Sequence, residues 1–241
     1  MRDTLFKKRT YGKPRRGVIF YFCGWRMPIG VYLPVYWLAN IAGYSVHAYS
    51  LAEHYVMEAD NKGFLEQLRA IVDDVEASVL GFQDQGVTFF AAFGNSIGSE
   101  LALACTKAVP AISAAVLNTM RGSTSEFLWH SPYGRTWRSL YESQGYSEAT
   151  LYNELRPVEA CENLDKLGKR RVLLYYSKAD KTIPPYNTEL FVEALAASGV
   201  KHRIVRNRYL GHFWASVKNH MRFWIWWRFL RQAEHRLHTH S

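Results

Sequence analysis

Between Val87 and Gly98 the chain reads VTFFAAFGNSIG, and a helix-like stretch, SELALACTKAV, follows at once. A serine inside Gly94-Asn95-Ser96-Ile97-Gly98, set between an apolar run and the start of a helix, has the pattern of a nucleophile elbow. Such a turn holds its hydroxyl exposed and aims backbone N–H groups at any oxygen that gains charge beside it. The two glycines let the turn tighten where a Cβ would hinder it. A serine hydroxyl is a weak nucleophile at neutral pH, so it needs an imidazole within reach and a carboxylate behind that imidazole. Asp180, directly after the apolar run RVLLYYS, and His212, in a loop after KHRIVRN, could supply both. The chemistry open to these three groups is acyl transfer through a covalent intermediate on Ser96.

Groups so far apart in sequence meet only if the elements before them end at one edge. GVIFYFCG from Gly17, YSVHAYSL from Tyr44, the run from Val87 to Phe93, Ile112 to Met120, Arg171 to Ser177 and Lys201 to Arg206 all read as strands. Helices are predicted over Leu33 to Ala42, Lys62 to Phe82 (with Asp60 or Asn61 as cap), Ile97 to Val109, Thr188 to Ser198 and Phe213 to about Leu230. Strands alternating with helices imply a mostly parallel sheet with helices on both faces. In such a sheet Ser96, Asp180 and His212 fall at one carboxyl edge, where sites of this architecture lie.

The alternation breaks from residue 121 to residue 168, a stretch rich in aromatic residues that reads as an inserted cap or lid. The expected division is a basic leader at 1–16, a core at 17–120 and 169–237, the cap at 121–168 and a tail at 238–241. Aromatic cap residues, Phe127, Trp129 and Trp137 among them, are candidate substrate contacts that would line an apolar pocket over the elbow.

With these residues in view, the chain resembles the α/β-hydrolase superfamily from Gly17 to its last helix. Ser96 matches the nucleophile position, Asp180 in SKADKTIPP the acid loop and His212 in LGHFW the histidine loop, in the superfamily's own order. The resemblance implies an oxyanion hole made by the backbone N–H groups of Ile97 and Trp25, with Gly24 and Asn95 beside it as further substrate contacts. Cys23-Gly24 stands where many members carry His-Gly, and the two antiparallel edge strands common at the N-terminus are expected to be missing or reduced. Gly-Asn-Ser also resembles elbows of hydrolases that cleave carbon–carbon bonds. The function implied is a serine hydrolase acting on a carboxylic ester or thioester. Acyl transfer by the same residues, or a non-catalytic module that binds an anionic lipid or protein, are the alternatives.

Composition bounds the rest. Apolar residues make up 48% and charged residues 21% of 241, which suits one globular domain. No apolar run is long enough to span a bilayer, and the N-terminus does not read as a signal peptide, so the cytoplasm is the expected compartment. Cys23, Cys105 and Cys161 have neither disulfide nor zinc spacing, and no metal or cofactor is expected. The net charge of +9 is concentrated at the ends: seven Lys or Arg against one Asp in residues 1–17, and nine against one Glu in residues 199–241. Peripheral contact with an anionic membrane follows as an alternative to a solvated basic surface, the more so because Trp and Arg crowd the last helix. The basic segments show no nucleic-acid-binding module.

Overall fold

The computed structural model describes residues 5–51 and 59–239; residues 1–4 of the basic leader and 240–241 of the tail lie outside the described residues. Seven strands form one sheet: β1 (Phe6–Tyr11), β2 (Gly17–Phe22), β3 (Tyr44–Leu51), β4 (Phe90–Asn95), β5 (Ile112–Asn118), β6 (Arg171–Ser177) and β7 (Lys201–Asn207). Their order across the sheet is β1-β3-β2-β4-β5-β6-β7, with only β1 antiparallel to its neighbour. The direction of winding reverses between β2 and β4, and the crevice beyond their carboxyl ends is the switch point where ligands bind in open α/β sheets.

Strict alternation along the central strands builds two cores. Val18, Phe20 and Phe22 face one layer and Ile19, Tyr21 and Cys23 the other. The first layer is covered by α2 (Asn61–Gln83) and α3 (Ile97–Ala108), the second by α1 (Leu33–Ile41) and α9 (Phe223–Thr239). In α2 the buried positions Phe64, Leu68, Ile71, Val75 and Val79 repeat at helical spacing, and Asp60 Oδ1 accepts from Gly63 N–H (2.9 Å), closing the first turn. Burying each of these apolar side chains contributes about 1.5–3 kcal/mol.

Three expectations change. The leader is not merely a solvated basic arm, because FKKRTY within it forms edge strand β1 on β3. An edge strand needs one partner only and keeps cations in solvent, so its sequence lacks an apolar run. Lys8 Nζ lies 2.6 Å from Asp74 Oδ2, which also accepts from Tyr49 Oη at 2.6 Å. The strand before the elbow runs from Phe90 to Asn95 rather than from Val87 to Phe93. Finally, the predicted last helix is two helices, α8 (His212–Met221) and α9, broken at Arg222 with ψ 49°. The Trp226 indole, fully buried, donates to the His220 carbonyl at the end of α8 (3.3 Å), a bond the break permits. Trp226, Phe229, Leu230 and Ala233 pack on the sheet, so much of the aromatic content of α9 belongs to the second core. Among the described residues no helix is long and apolar enough to cross a membrane.

The interior holds two neutral histidines. His47 on β3 lies edge-on to Phe82 (5.0 Å) and Phe20 (5.8 Å), and neither ring nitrogen has a partner among the described residues. Burial, aided by the charge of Lys8, pulls its pKa from 6.5 to about 4. His220 is likewise pulled to about 4 by burial. Between these values the unfolded chain takes up protons that the native state refuses, so stability falls as pH drops from 6.5 towards 4. From pH 7 to pH 5 each histidine costs on the order of 2 kcal/mol. We expect His47→Leu to flatten this slope by about half, read as urea midpoints at the two pH values. An unchanged slope would show that His47 is protonated in the native state.

Candidate active site

Three loops at the carboxyl edge deliver the candidate groups. Ser96 follows β4 at φ 53° and ψ −127°, a conformation that L-residues rarely adopt. Its N–H is held by the Asn118 carbonyl on β5 (2.8 Å). The glycines on either side leave no room for a side chain: a Cβ on Gly94 would lie 2.2 Å from the Gly98 carbonyl oxygen, and one on Gly98 would lie 2.2 Å from that of Phe22. The elbow therefore sits directly against β2.

Asp180 follows β6, and its carboxylate is fixed before it meets any imidazole. Oδ1 accepts from the N–H groups of Thr182 (2.8 Å) and Ile183 (2.9 Å). Oδ2 faces His212 Nδ1 at 2.7 Å, and His212 Nε2 lies 3.2 Å from Ser96 Oγ. With a carboxylate accepting from Nδ1–H, Nε2 is left as the acceptor for the serine hydroxyl. His212 is the first residue of α8, capped by Gly211, rather than a loop residue. Hydroxyl, imidazole and carboxylate thus stand in one hydrogen-bonded series.

Ile97 is the first residue of α3, where helix N–H groups lack intrahelical partners. Trp25 lies in the turn closed by Met27 N–H to the Gly24 carbonyl (3.1 Å). Both border the pocket that Ser96 enters. Cys23, before this turn, is buried, and burial pushes its thiol up to about 12, so it packs as a neutral group.

Two apolar pockets meet at Ser96, and Trp25 and Thr182 border both. The first, about 120 Å³, lies beneath the segment between β5 and β6, which folds as α4 (Thr124–His130), α5 (Arg135–Ser143) and α6 (Glu148–Leu155). Phe127 and Trp137 line it, with Tyr133 and Tyr141. Trp129 does not. Two positions along a helix rotate a side chain by about 200°, so Trp129 points away from Phe127 and packs beneath the Arg138 guanidinium at 5.2 Å. Tyr146 stacks edge-on against Tyr141, and Tyr152 bonds Glu162 at the surface. The second pocket, about 340 Å³, includes Gly24 and Asn95 and opens between α1 and α8.

The β5–β6 segment is tied down by buried charge. Arg121 donates to Glu100 on α3 through Nε (2.5 Å) and Nη2 (2.9 Å), and Thr124 Oγ1 adds a third bond (3.0 Å). Burial raises the Glu100 carboxyl pKa, and Arg121 opposes that rise. Glu159 accepts from the N–H groups of Thr124 (2.9 Å) and Ser125 (2.8 Å), at the positive end of α4. Across the pocket, Tyr141 Oη donates to Asn61 Oδ1 at the start of α2 (2.6 Å).

A buried polar chain beneath the elbow has no counterpart in the sequence reading. Asn95 Oδ1 accepts from Ser216 Oγ (2.5 Å) and Asn118 Nδ2 (3.0 Å), while Asn95 Nδ2 donates to Tyr32 Oη (3.0 Å). Asn219 Nδ2 donates to Asn118 Oδ1 (2.8 Å), and Asn207 Nδ2 to Asn219 Oδ1 (2.9 Å). The ends of β4, β5 and β7 are thereby bonded to α8, whose first residue is His212. Asparagine at a strand end reads as a turn residue. Tyr32 and the arrival of α8 complete the partners of these amides.

A model of the prolyl oligopeptidase family matches residues 69–232. No curated protein matches the chain. Among solved structures, acetyl xylan esterase 1 from Thermoanaerobacterium sp. JW/SL YS485 aligns at 16% identity and TM-score 0.65, covering 86% of this chain and 74% of that one. Pyrococcus horikoshii acylaminoacyl peptidase aligns at 15% and 0.68 over 95% of this chain, which spans 42% of that protein. Est1E from Butyrivibrio proteoclasticus aligns at 12% and 0.64, covering 95% and 94%. At these identities the likeness speaks for the fold.

Proposed function

Since this chain belongs to the prolyl oligopeptidase family, and so to the serine hydrolases of the α/β-hydrolase superfamily, we propose that it hydrolyses uncharged carboxylic esters through an acyl-enzyme on Ser96. The observation that carries the proposal is the series Ser96–His212–Asp180, at 3.2 and 2.7 Å, reaching the surface where two apolar pockets meet. Ser96 Oγ attacks the carbonyl carbon as His212 Nε2 takes its proton, and Asp180 stabilises the imidazolium. The N–H groups of Ile97 and Trp25 hold the tetrahedral oxyanion. Collapse returns the proton to the leaving alcohol, and water, activated by the same imidazole, releases the acid. The segment at 121–168 acts as the cap that shields this chemistry from solvent.

The choice of an uncharged ester rests on the lining. Among the described residues its two ionised groups, Asp60 and Arg121, are already engaged, one capping α2 and the other bonded to Glu100. Neither is left to recognise a charged peptide terminus. The family match favours amide cleavage as a second reading. A chain-length series of p-nitrophenyl esters, run beside the matching p-nitroanilides, separates the two, with fluorophosphonate labelling as a check on the nucleophile. We expect labelling of Ser96 and ester turnover that rises from acetyl to medium chains. Anilide cleavage at equal or higher kcat/KM would install the peptidase reading. Absence of labelling and of turnover would leave a non-catalytic binding module.

A further inference from the structure

The second pocket opens outward between two helices that both turn apolar rows to solvent. On α1 these are Leu33, Trp37 and Ile41, one helical turn apart and between 48% and 64% exposed. On α8, Phe213, Val217 and Met221 repeat at the same spacing and line the pocket while lying 37% to 64% exposed. Trp214 and Trp224 extend the patch, each more than 60% exposed. Scattered exposed apolar residues are ordinary, but ordered rows of them on the two helices that flank a pocket mark an interaction surface. Its charge selects the partner. Residues 24–41 and 208–224, which carry these side chains, contain four Arg or Lys, Arg26, Arg208, Lys218 and Arg222, and no Asp or Glu. Tryptophan and aliphatic side chains set among cations suit the headgroup region of an anionic bilayer. A second copy of the chain fits poorly, because a two-fold contact would press these cationic segments on their own copies.

We infer that this face docks on anionic membrane surfaces, so that the second pocket opens from Ser96 towards the lipid. Membrane binding needs no catalysis, so Ser96→Ala protein separates it from the hydrolase proposal. The experiment is co-sedimentation of the full chain with phosphatidylcholine vesicles, with and without phosphatidylglycerol, at low and high salt. We expect binding that requires the anionic lipid and weakens with salt. Trp37→Glu and Trp214→Glu, which lie outside both pocket linings, should each reduce partitioning about tenfold. Leu80→Glu, an exposed position on α2 over the other face of the sheet, should leave it unchanged. Failure to pellet with phosphatidylglycerol at low salt would overturn the inference. So would binding indifferent to both tryptophan variants, which would assign it to the basic termini. A dimer in light scattering that both variants dissociate would reassign the face to self-association.

Discussion

Ser96→Ala is expected to abolish fluorophosphonate labelling and to lower ester kcat by about 10⁴ to 10⁶-fold, with the thermal midpoint nearly unchanged. The residual rate would come from oxyanion donors and substrate binding, which the substitution leaves in place. Stability should hold because alanine keeps a Cβ at the same positive φ of 53°, so the strain of the elbow is neither added nor relieved. The Ser96 N–H bond to Asn118 is a main-chain contact and survives as well. Labelling that persists in the variant would place the nucleophile on another residue.

Asp180→Asn should cost about 10⁴-fold in kcat with little change in KM, for a reason visible in the acid loop. Two backbone N–H groups, of Thr182 and Ile183, both point at Oδ1. They will hold the amide oxygen of an asparagine there and turn its NH₂ towards His212 Nδ1. That nitrogen must then accept, the proton moves to Nε2, and the imidazole can no longer take one from Ser96. Retention of near-native kcat by the variant would show that Asp180 does not set the tautomer.

Several expectations were legible because local chemistry alone enforces them. The central strands are largely buried on both faces and so are dominated by apolar and aromatic residues, which is why β2, β3 and β6 stand where their runs predict. The glycines at 94 and 98 answer to backbone oxygens that a Cβ would meet at 2.2 Å, a constraint that any sequence making this turn must meet. Edge strand β1 was hidden because half its surface faces solvent and carries cations. The break at Arg222 was hidden because neither proline nor glycine marks it, and it depends on where Trp226 finds a carbonyl.

The same division runs through the site. Taken alone, the sequence determined which three groups could react, the order in which the chain presents them, and the architecture that brings strand ends to one edge, since each follows from short-range pattern. Tertiary structure alone decided which aromatics of the 121–168 segment line the pocket at Ser96, the pairing of Glu100 with Arg121, and the amide chain from Asn95 to α8. Those contacts join residues from 12 to 121 positions apart. No local periodicity records such partners, because a buried polar group is satisfied by whatever the fold brings beside it.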